Sequence, residues 1–420
     1  MSLLCPYANS YESTQTLPKS ISRFRTITIF TENIDKRFNA DGNTTGLAAE
    51  MNRTLTAGRV IQEGIKAKPN EPKVQELQTL YNALNNADPG QNLGDKLFQV
   101  QIDAKSSVRS KAFAVGYEFG ITDEWSVGFA VPMYSFNVKA DVTATVVSQA
   151  PQLQADPFIK NANLAPKLAE FDANKALIES YVIDGIFTSK GYEKPRDFQM
   201  ESVGEVEIGI KKAFVRSAHH GLSHQVGFRL PTASHAKNYR NPFDPGAGDG
   251  QFDISNTTAY DYFPDDGIRF GTALKTTFQL PDQEYRPLLR VGESGLPNLN
   301  DPYIWENVNR NLGDSLETEI SANYSFWKKR FTISTLYLYL LKDQDTYTGS
   351  KGLDYGSLQK NTAKSQHQYE LAINFATIED VLRGRSKFPI DTRLAYTNTF
   401  SGRNSIKTAL YRFDLNFFFR

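Results

Sequence analysis

Apolar and polar residues alternate along the chain in segments of about 9 to 14 residues. The clearest segment ends the chain, where Tyr411, Phe413, Leu415, Phe417 and Phe419 alternate with a mostly polar or charged set. An alternation of period two predicts β-strands that have one apolar face and one polar face. The same pattern recurs upstream, so the chain as a whole is predicted to be rich in long strands.

Twelve strands are predicted, and short and long connections alternate between them. The strands are residues 20–32, 108–121, 126–139, 203–216, 221–233, 251–263, 267–280, 314–327, 330–342, 366–377, 388–400 and 405–419. Residues 97–104 are predicted to extend the second strand across a bend. Gly, Asp and Pro, which tight turns require, lie in three of the short connections, at residues 120–125, 218–221 and 264–267. An even strand count places both chain ends on the same side.

Period two alone does not distinguish a membrane barrel from a soluble β-sandwich. Alternating short and long connections are typical of outer-membrane barrels, in which short turns face the periplasm. The segments are also longer than ordinary strands. Aromatic residues lie near the strand ends, as in interfacial girdles: Trp125, Trp327, Tyr260, Tyr262, Phe417 and Phe419. The sequence therefore predicts an all-β membrane protein, a 12-stranded antiparallel barrel in the outer membrane of a Gram-negative-type bacterium.

Two insertions of about 60 residues, 34–96 and 140–202, interrupt the strand pattern within the single barrel predicted for residues 20–420. Both contain apolar residues at helical spacing, which predicts two long and partly helical extracellular loops. These residues are Val74, Leu77, Leu80, Tyr81 and Leu84 in the first insertion, and Leu164, Leu168, Phe171, Leu177 and Tyr181 in the second. Such loops cap or narrow the barrel mouth, bind a partner, or form a mobile surface decoration.

Residues 1–19 are predicted to be an N-terminal tail. Leu3, Leu4 and Cys5, followed by small residues at 8–10, resemble the end of a signal peptide, although the basic and long apolar regions are missing. An ordinary terminus is the alternative interpretation.

Composition narrows the function classes. The 47 basic and 47 acidic residues leave no net charge, which argues against a simple polybasic nucleic-acid binder. The single Cys excludes an internal disulfide and a cysteine-based zinc site.

The five His residues show no metal-binding spacing, and no phosphate-binding motif or nucleophile–base pair stands out. Asp244, Asp249 and Asp253 allow a calcium loop, but a Gly-rich outer loop is favoured. We predict no enzyme, no cofactor and no metal.

Four short motifs resemble a known family of outer-membrane barrels. They are GITDEW at residues 120–125, VGEVEIGIK at 203–211, GFRLPT at 227–232 and GDGQFDI at 248–254. Their order is similar to that in the family named for transport in the meta-pathway of phenol degradation. Glu205 and Ala233 stand where that family usually has Asp and Gly. The resemblance implies a barrel that passes small, often aromatic or hydrophobic compounds.

The polar face of each strand is predicted to line the lumen. The candidate lumen-lining residues are Arg25, Glu118, Glu205, Glu207, Lys211, Arg229, Asp253, Arg269, Lys275, Glu317, Glu319, Glu370, Asp391, Arg393, Arg412 and Asp414. Both signs are present, whereas a strongly ion-selective pore would favour one sign at its constriction. The charges either pair across the lumen as a structural network or line a narrow path.

These observations favour a channel for passive or gated diffusion of small solutes, including hydrophobic or aromatic ones. The alternative is a surface scaffold, receptor or adhesin with a closed, charge-networked lumen. The expected partners are outer-membrane lipid, a small-molecule solute and a protein partner at the long loops. No nucleic-acid partner is expected.

Overall fold

The computed structural model describes residues 13–67 and 69–420, which form a closed antiparallel barrel. The barrel strands are β1 (Ser22–Thr31), β2 (Phe98–Gly120), β3 (Trp125–Ser148), β4 (Glu207–Arg216), β5 (His220–Arg229), β6 (Asp253–Asp265), β7 (Ile268–Gln279), β8 (Ser315–Phe326), β9 (Phe331–Lys342), β10 (Lys364–Ala376), β11 (Ile390–Arg403) and β12 (Ala409–Phe419). Each pairs with its chain neighbours, and β1 pairs with β12 to close the sheet. Closure leaves no unpaired edge, as a strand in lipid requires.

The predicted 12-stranded barrel is confirmed, and most predicted strand ends differ from the observed ends by only a few residues. The exceptions are β2 and β3, which have 23 and 24 residues. They pair in one register over the full length of β2, so the predicted extension of the second strand is confirmed for residues 98–104 and occurs without a break in the pairing. Because β3 continues to Ser148, the second insertion begins after that residue and not at residue 140.

The outward faces of the strands form an apolar belt. Phe270, Ile320, Leu371 and Leu394 are each about half exposed, at 49%, 57%, 54% and 54%. A large contiguous apolar surface of this kind does not remain in water, so the belt is the surface that contacts lipid hydrocarbon. Aromatic residues gather where the belt meets the short turns. There Trp327, 65% exposed, stacks on Phe331 at 5.4 Å.

The two ends of the barrel differ. The short connections, the start of β1 and the finish of β12 lie at one end of the barrel, which is called the short-turn end. The opposite end is called the loop end. The loop end carries accessory strands, each of which lies in a small sheet or is added to β2 or β3. They are Lys36–Phe38, Thr44–Gly46, Arg53–Thr56, Phe198–Val203, Asp282–Pro287, Trp305–Asn311, Thr346–Thr348 and Ile406–Lys407. The 3₁₀ turns are Ala49–Met51, Thr188–Lys190 and Pro302–Ile304.

Six helices form a cap at the loop end. They are α1 (Ala57–Ala67), α2 (Pro72–Ala87), α3 (Ala150–Gln154), α4 (Pro157–Asn161), α5 (Ala165–Ala173) and α6 (Lys175–Ile186). Two further short helices are α7 (Gly356–Gln359) and α8 (Ile378–Leu382). The predicted helical spacing is confirmed in α2, α5 and α6. The cap packs on the projecting ends of β2 and β3, where Phe98 stacks on Phe171 at 5.3 Å. None of the helices in the described ranges is long and apolar enough to cross a membrane.

Candidate functional site: the barrel lumen

One cavity occupies the inside of the barrel and is called the lumen cavity. Its volume is about 1830 Å³. At the short-turn end it is bordered by Asp265 and Lys329, and at the loop end by Arg286 and Tyr347. A cavity that reaches both ends is consistent with twelve strands, which enclose more space than the side-chain-filled eight-stranded barrels. Within the described ranges, no residue of α1–α6 borders this cavity, so the cap does not fill the barrel.

The structure places twelve of the sixteen predicted residues on the lumen cavity. They are Arg25, Glu118, Glu207, Lys211, Arg229, Asp253, Arg269, Lys275, Glu317, Asp391, Arg393 and Asp414. The other four are buried and do not border it: Glu205, Glu319, Glu370 and Arg412. Glu205 lies between strands, whereas the remaining three lie on strands and are covered by neighbouring side chains. A role for any of the sixteen in transport stays a prediction.

A charged wall lies on one side of the lumen, along β10, β11, β12 and β1. Arg393 donates to Glu370 at 2.5 Å, and Thr397 Oγ1 donates to the other oxygen of that carboxylate at 3.0 Å. Arg25 and Arg412 both donate to Asp414, at 3.0 and 2.7 Å. The guanidinium and carboxylate groups therefore fill this side and hold neighbouring strands together.

The adjacent side, along β2 to β5, is a glycine wall defined by Gly116, Gly128, Gly209 and Gly227. Gly128 pairs with Gly209, and Gly209 pairs with Gly227, so three neighbouring strands lack a side chain at the same level. All four glycines border the lumen cavity. Glycine weakens a strand and often marks a place where something approaches the backbone closely. No side chain therefore takes up lumen space at these four positions, a feature that the pattern of charged residues does not reveal.

Residues 13–15 enter the lumen at the short-turn end, and Thr16 and Lys19 hold the following residues against Asp123 of a short turn. The backbone nitrogen and Oγ1 of Thr14 both donate to Asp261 Oδ2, at 2.9 and 2.7 Å. Lys211 Nζ donates to the carbonyl oxygen of Ser13. Thr14 is only 4% exposed, and Ser13 and Gln15 border the lumen cavity. The tail thus narrows the lumen; the predicted signal remnant at residues 1–10 lies outside the described residues.

A cluster at the loop end places one guanidinium among three carboxylates. Arg229 lies 3.4 Å from Glu205, 3.3 Å from Asp249, and in direct contact with Asp253. Glu205 also accepts a hydrogen bond from the backbone nitrogen of Gly250 at 2.9 Å. Burial, followed by the neighbouring charge of Asp249, raises the pKa of Glu205 to about 7. The charge of this cluster therefore changes near neutral pH.

Comparison with known proteins identifies the fold. No family model matches the chain, and no curated protein matches it. An outer-membrane channel from Pseudomonas putida F1 superposes with a TM-score of 0.52 at 7% identity, over 98% of this chain and 100% of that one. This chain has the outer-membrane barrel fold. Two others align less well: the Pseudomonas putida toluene transporter TodX (TM-score 0.34, 7% identity) and the translocator domain of the autotransporter NalP from Neisseria meningitidis (TM-score 0.37, 7% identity). Each covers 96% of this chain and 89% of the other.

The Glu205 cluster predicts pH-dependent ion selectivity. With a pKa raised to about 7, the Glu205 carboxyl is expected to lose its proton as the pH rises through neutral, so the loop end of the lumen should gain negative charge. The preference for cations, measured as the reversal potential in a KCl gradient, is expected to rise over this range. Glu205→Gln should abolish most of the rise, while Glu170→Gln, on the exposed face of α5, should not. An unchanged pH profile in Glu205→Gln would contradict the assignment.

The calcium alternative for the loop at residues 244–250 is not supported by the observed geometry. Asp249 and Asp253 face Arg229. Asp244 instead lies 3.0 Å from His235 and accepts a hydrogen bond from the backbone nitrogen of Asn238 at 2.9 Å. Among the residues that the structure describes, no three His, Cys, Asp or Glu side chains are grouped to hold a metal ion. The Gly-rich loop is thus organised by a histidine, an arginine and backbone donors.

Proposed function

We propose that this protein is an outer-membrane channel that lets small solutes diffuse between the outside and the periplasm. The observation that carries the proposal is the lumen cavity, which reaches both ends of a closed barrel. The short-turn end would face the periplasm, as in other barrels of this type. A closed scaffold or receptor would have no need of a cavity bordered by both ends of the barrel.

The channel would be gated at its short-turn end. Residues 13–15 occupy part of the lumen, where Thr14 donates twice to Asp261 and Lys211 donates to the carbonyl oxygen of Ser13. The pairings of β1 with β2 and β12 begin only at Ser22, so this segment could leave without disturbing them. Diffusion would then depend on how often the tail moves aside.

The solutes would be small and hydrophobic or aromatic. Apolar side chains, including Ile27, Val108, Phe243 and Leu340, border the lumen together with the glycine wall. The arginines of the charged wall are paired with carboxylates, so no ring of one sign would select ions strongly. The family resemblance implies the same class of compound. Binding along the path would be weak, because a solute held tightly does not leave.

The glycine wall provides the test. Gly209→Phe adds a ring to the lumen, where the nearest group to a new Cβ is the flexible end of Gln225 at 3.4 Å. We expect single-channel conductance in planar bilayers, and the phenol uptake by proteoliposomes in excess of that by protein-free vesicles, to fall several-fold. Ile210→Phe is the matched control because the neighbouring residue faces lipid, at 36% exposure. It should leave both quantities unchanged.

The outcomes separate the two functions. Equal conductance for Gly209→Phe and the wild-type protein would place the path elsewhere. If no form, including one without the N-terminal tail, showed conductance or phenol uptake above that of protein-free vesicles, the channel would be rejected. The loops would then become the functional surface, as in the scaffold or receptor alternative.

A further inference from the structure

A second cavity, here called the cap cavity, lies outside the barrel among the helices of the cap. Its volume is about 480 Å³, within the range of small-molecule sites. It lies between α1, α2, α5 and α6. The buried apolar residues on its wall include Leu80, Phe171, Ile178, Val182 and Ile186. The channel proposed above makes no use of this space.

Cations gather at one side of the cap cavity. Arg53, Arg59 and Lys190 all border it. The last two are anchored there, since Arg59 donates to Ser294 Oγ at 3.3 Å and Lys190 Nζ donates to the carbonyl oxygen of Leu296 at 3.1 Å. Burial lowers the pKa of both Arg53 and Lys190, which indicates cationic groups partly removed from water.

The local charges leave an excess of positive charge. Two carboxylates, Glu63 and Glu293, act electrostatically on this group of three cations. The other charged residues on the cavity wall are balanced: Lys73 and Lys167 against Glu76 and Glu170. Among the described residues, the cavity thus combines an apolar wall with a cationic side at which cations outnumber carboxylates by one.

We propose that the cap cavity binds a small organic anion that has an apolar, aromatic body, of the arylcarboxylate class. The apolar wall receives the ring, and Arg53, Arg59 and Lys190 receive the carboxylate. A neutral hydrocarbon would leave the excess positive charge without a counter-charge. An inorganic anion would leave the apolar wall in contact with water. The site is separate from the lumen, so it does not rest on the proposed channel.

A glycine gives a steric test of this site. Gly185 lies on α6 at the cavity wall, and a Cβ added there would have no neighbour within 4 Å. Gly185→Leu is therefore expected to extend into the cap cavity without disturbing the helix. Ala176→Leu adds a similar side chain on the exposed part of the same helix, where it does not border the cavity. It is the matched control.

The experiment titrates the full-length protein in lipid nanodiscs with naphthalene-2-carboxylate and measures the heat of binding by isothermal titration calorimetry. The neutral amide of the same ring system is titrated in parallel, and empty nanodiscs give the lipid background. We expect one saturable site that binds the carboxylate several-fold more tightly than the amide. Gly185→Leu should abolish binding of both compounds, and Ala176→Leu should retain it. Circular dichroism and heat-modifiable gel mobility check that each variant is folded.

The charge test is independent of the steric one. Arg59→Gln combined with Lys190→Gln should reduce the carboxylate affinity several-fold and bring it close to that of the amide. Lys175→Gln, on α6 but away from the cavity wall, should not change it. Saturable binding by folded Gly185→Leu at wild-type affinity would overturn the proposal. Equal affinity of the wild-type protein for the carboxylate and the amide, or uptake by lipid alone, would overturn it equally.

Discussion

Removing residues 1–16 is expected to raise the single-channel conductance several-fold. Residues 13–16 of this segment lie at the short-turn end, where Ser13 and Gln15 border the lumen cavity and Thr14 is almost fully buried. The barrel itself begins at Ser22, and its closure by pairing with β12 does not involve the removed residues. The shortened protein should therefore fold into the same barrel with a wider periplasmic opening.

Point variants refine this prediction. Thr14→Val removes the hydrogen bond from Oγ1 to Asp261 but keeps the shape of the side chain. We expect brief openings of the full-length channel to become more frequent, without a change in the open conductance. Lys19→Gln is the control, because the Lys19 side chain is exposed and the lumen contacts of Thr14 remain. If the shortened protein conducted no more than the full-length protein, the limiting constriction would lie elsewhere.

In the proposed channel, transport would depend on the division of the lumen between its two walls. The charged wall fixes the barrel shape through pairs such as Arg393 and Glu370, and the glycine wall leaves room beside it. An inward side chain on every strand would fill far more of that space. In the proposed channel, the missing side chains of Gly128, Gly209 and Gly227 would leave room for a solute beside the charged ones.

The barrel could be predicted from sequence because strand alternation is local. Each strand such as β12 shows its two faces within about ten residues, and lipid on one side requires them to differ. The lengths of β2 and β3 could not be predicted in this way. Their outer halves face the helices of the cap and not lipid, so the usual length of a membrane strand gives no guide.

The contacts across the lumen depend on relations that alternation does not contain. Thr14 and Asp261 are 247 residues apart, and only the closed barrel brings them together. Likewise, the strands do not pair Glu317 with Arg269. Glu317 lies 3.3 Å from Lys275, and Arg269 lies 4.0 Å from Asp261. A period of two identifies which residues point inward, whereas the register between strands decides which of them meet.

Arg393→Met is expected to destabilise the barrel by about 3–5 kcal/mol, because it leaves the Glu370 carboxylate buried without its cation. Arg393 and Glu370 are 7% and 3% exposed. After the substitution, Thr397 still donates to Glu370 and the charge of Arg412 still acts on it, but the direct ion pair is lost. The free energy of unfolding would be measured by reversible urea or guanidinium titration in lipid vesicles.

A double-variant cycle separates the loss of the pair from the penalty of the unpaired charge. Adding Glu370→Gln to Arg393→Met removes that charge, and the neutral amide can still accept from Thr397. We therefore expect the double variant to recover most of the lost stability, since exchanging a whole buried ion pair for neutral groups is often close to neutral. Arg290→Met, which breaks the exposed pair with Asp301, should change stability little. If the double variant were as unstable as Arg393→Met alone, the arginine would contribute mainly through packing of its side chain and not through its charge.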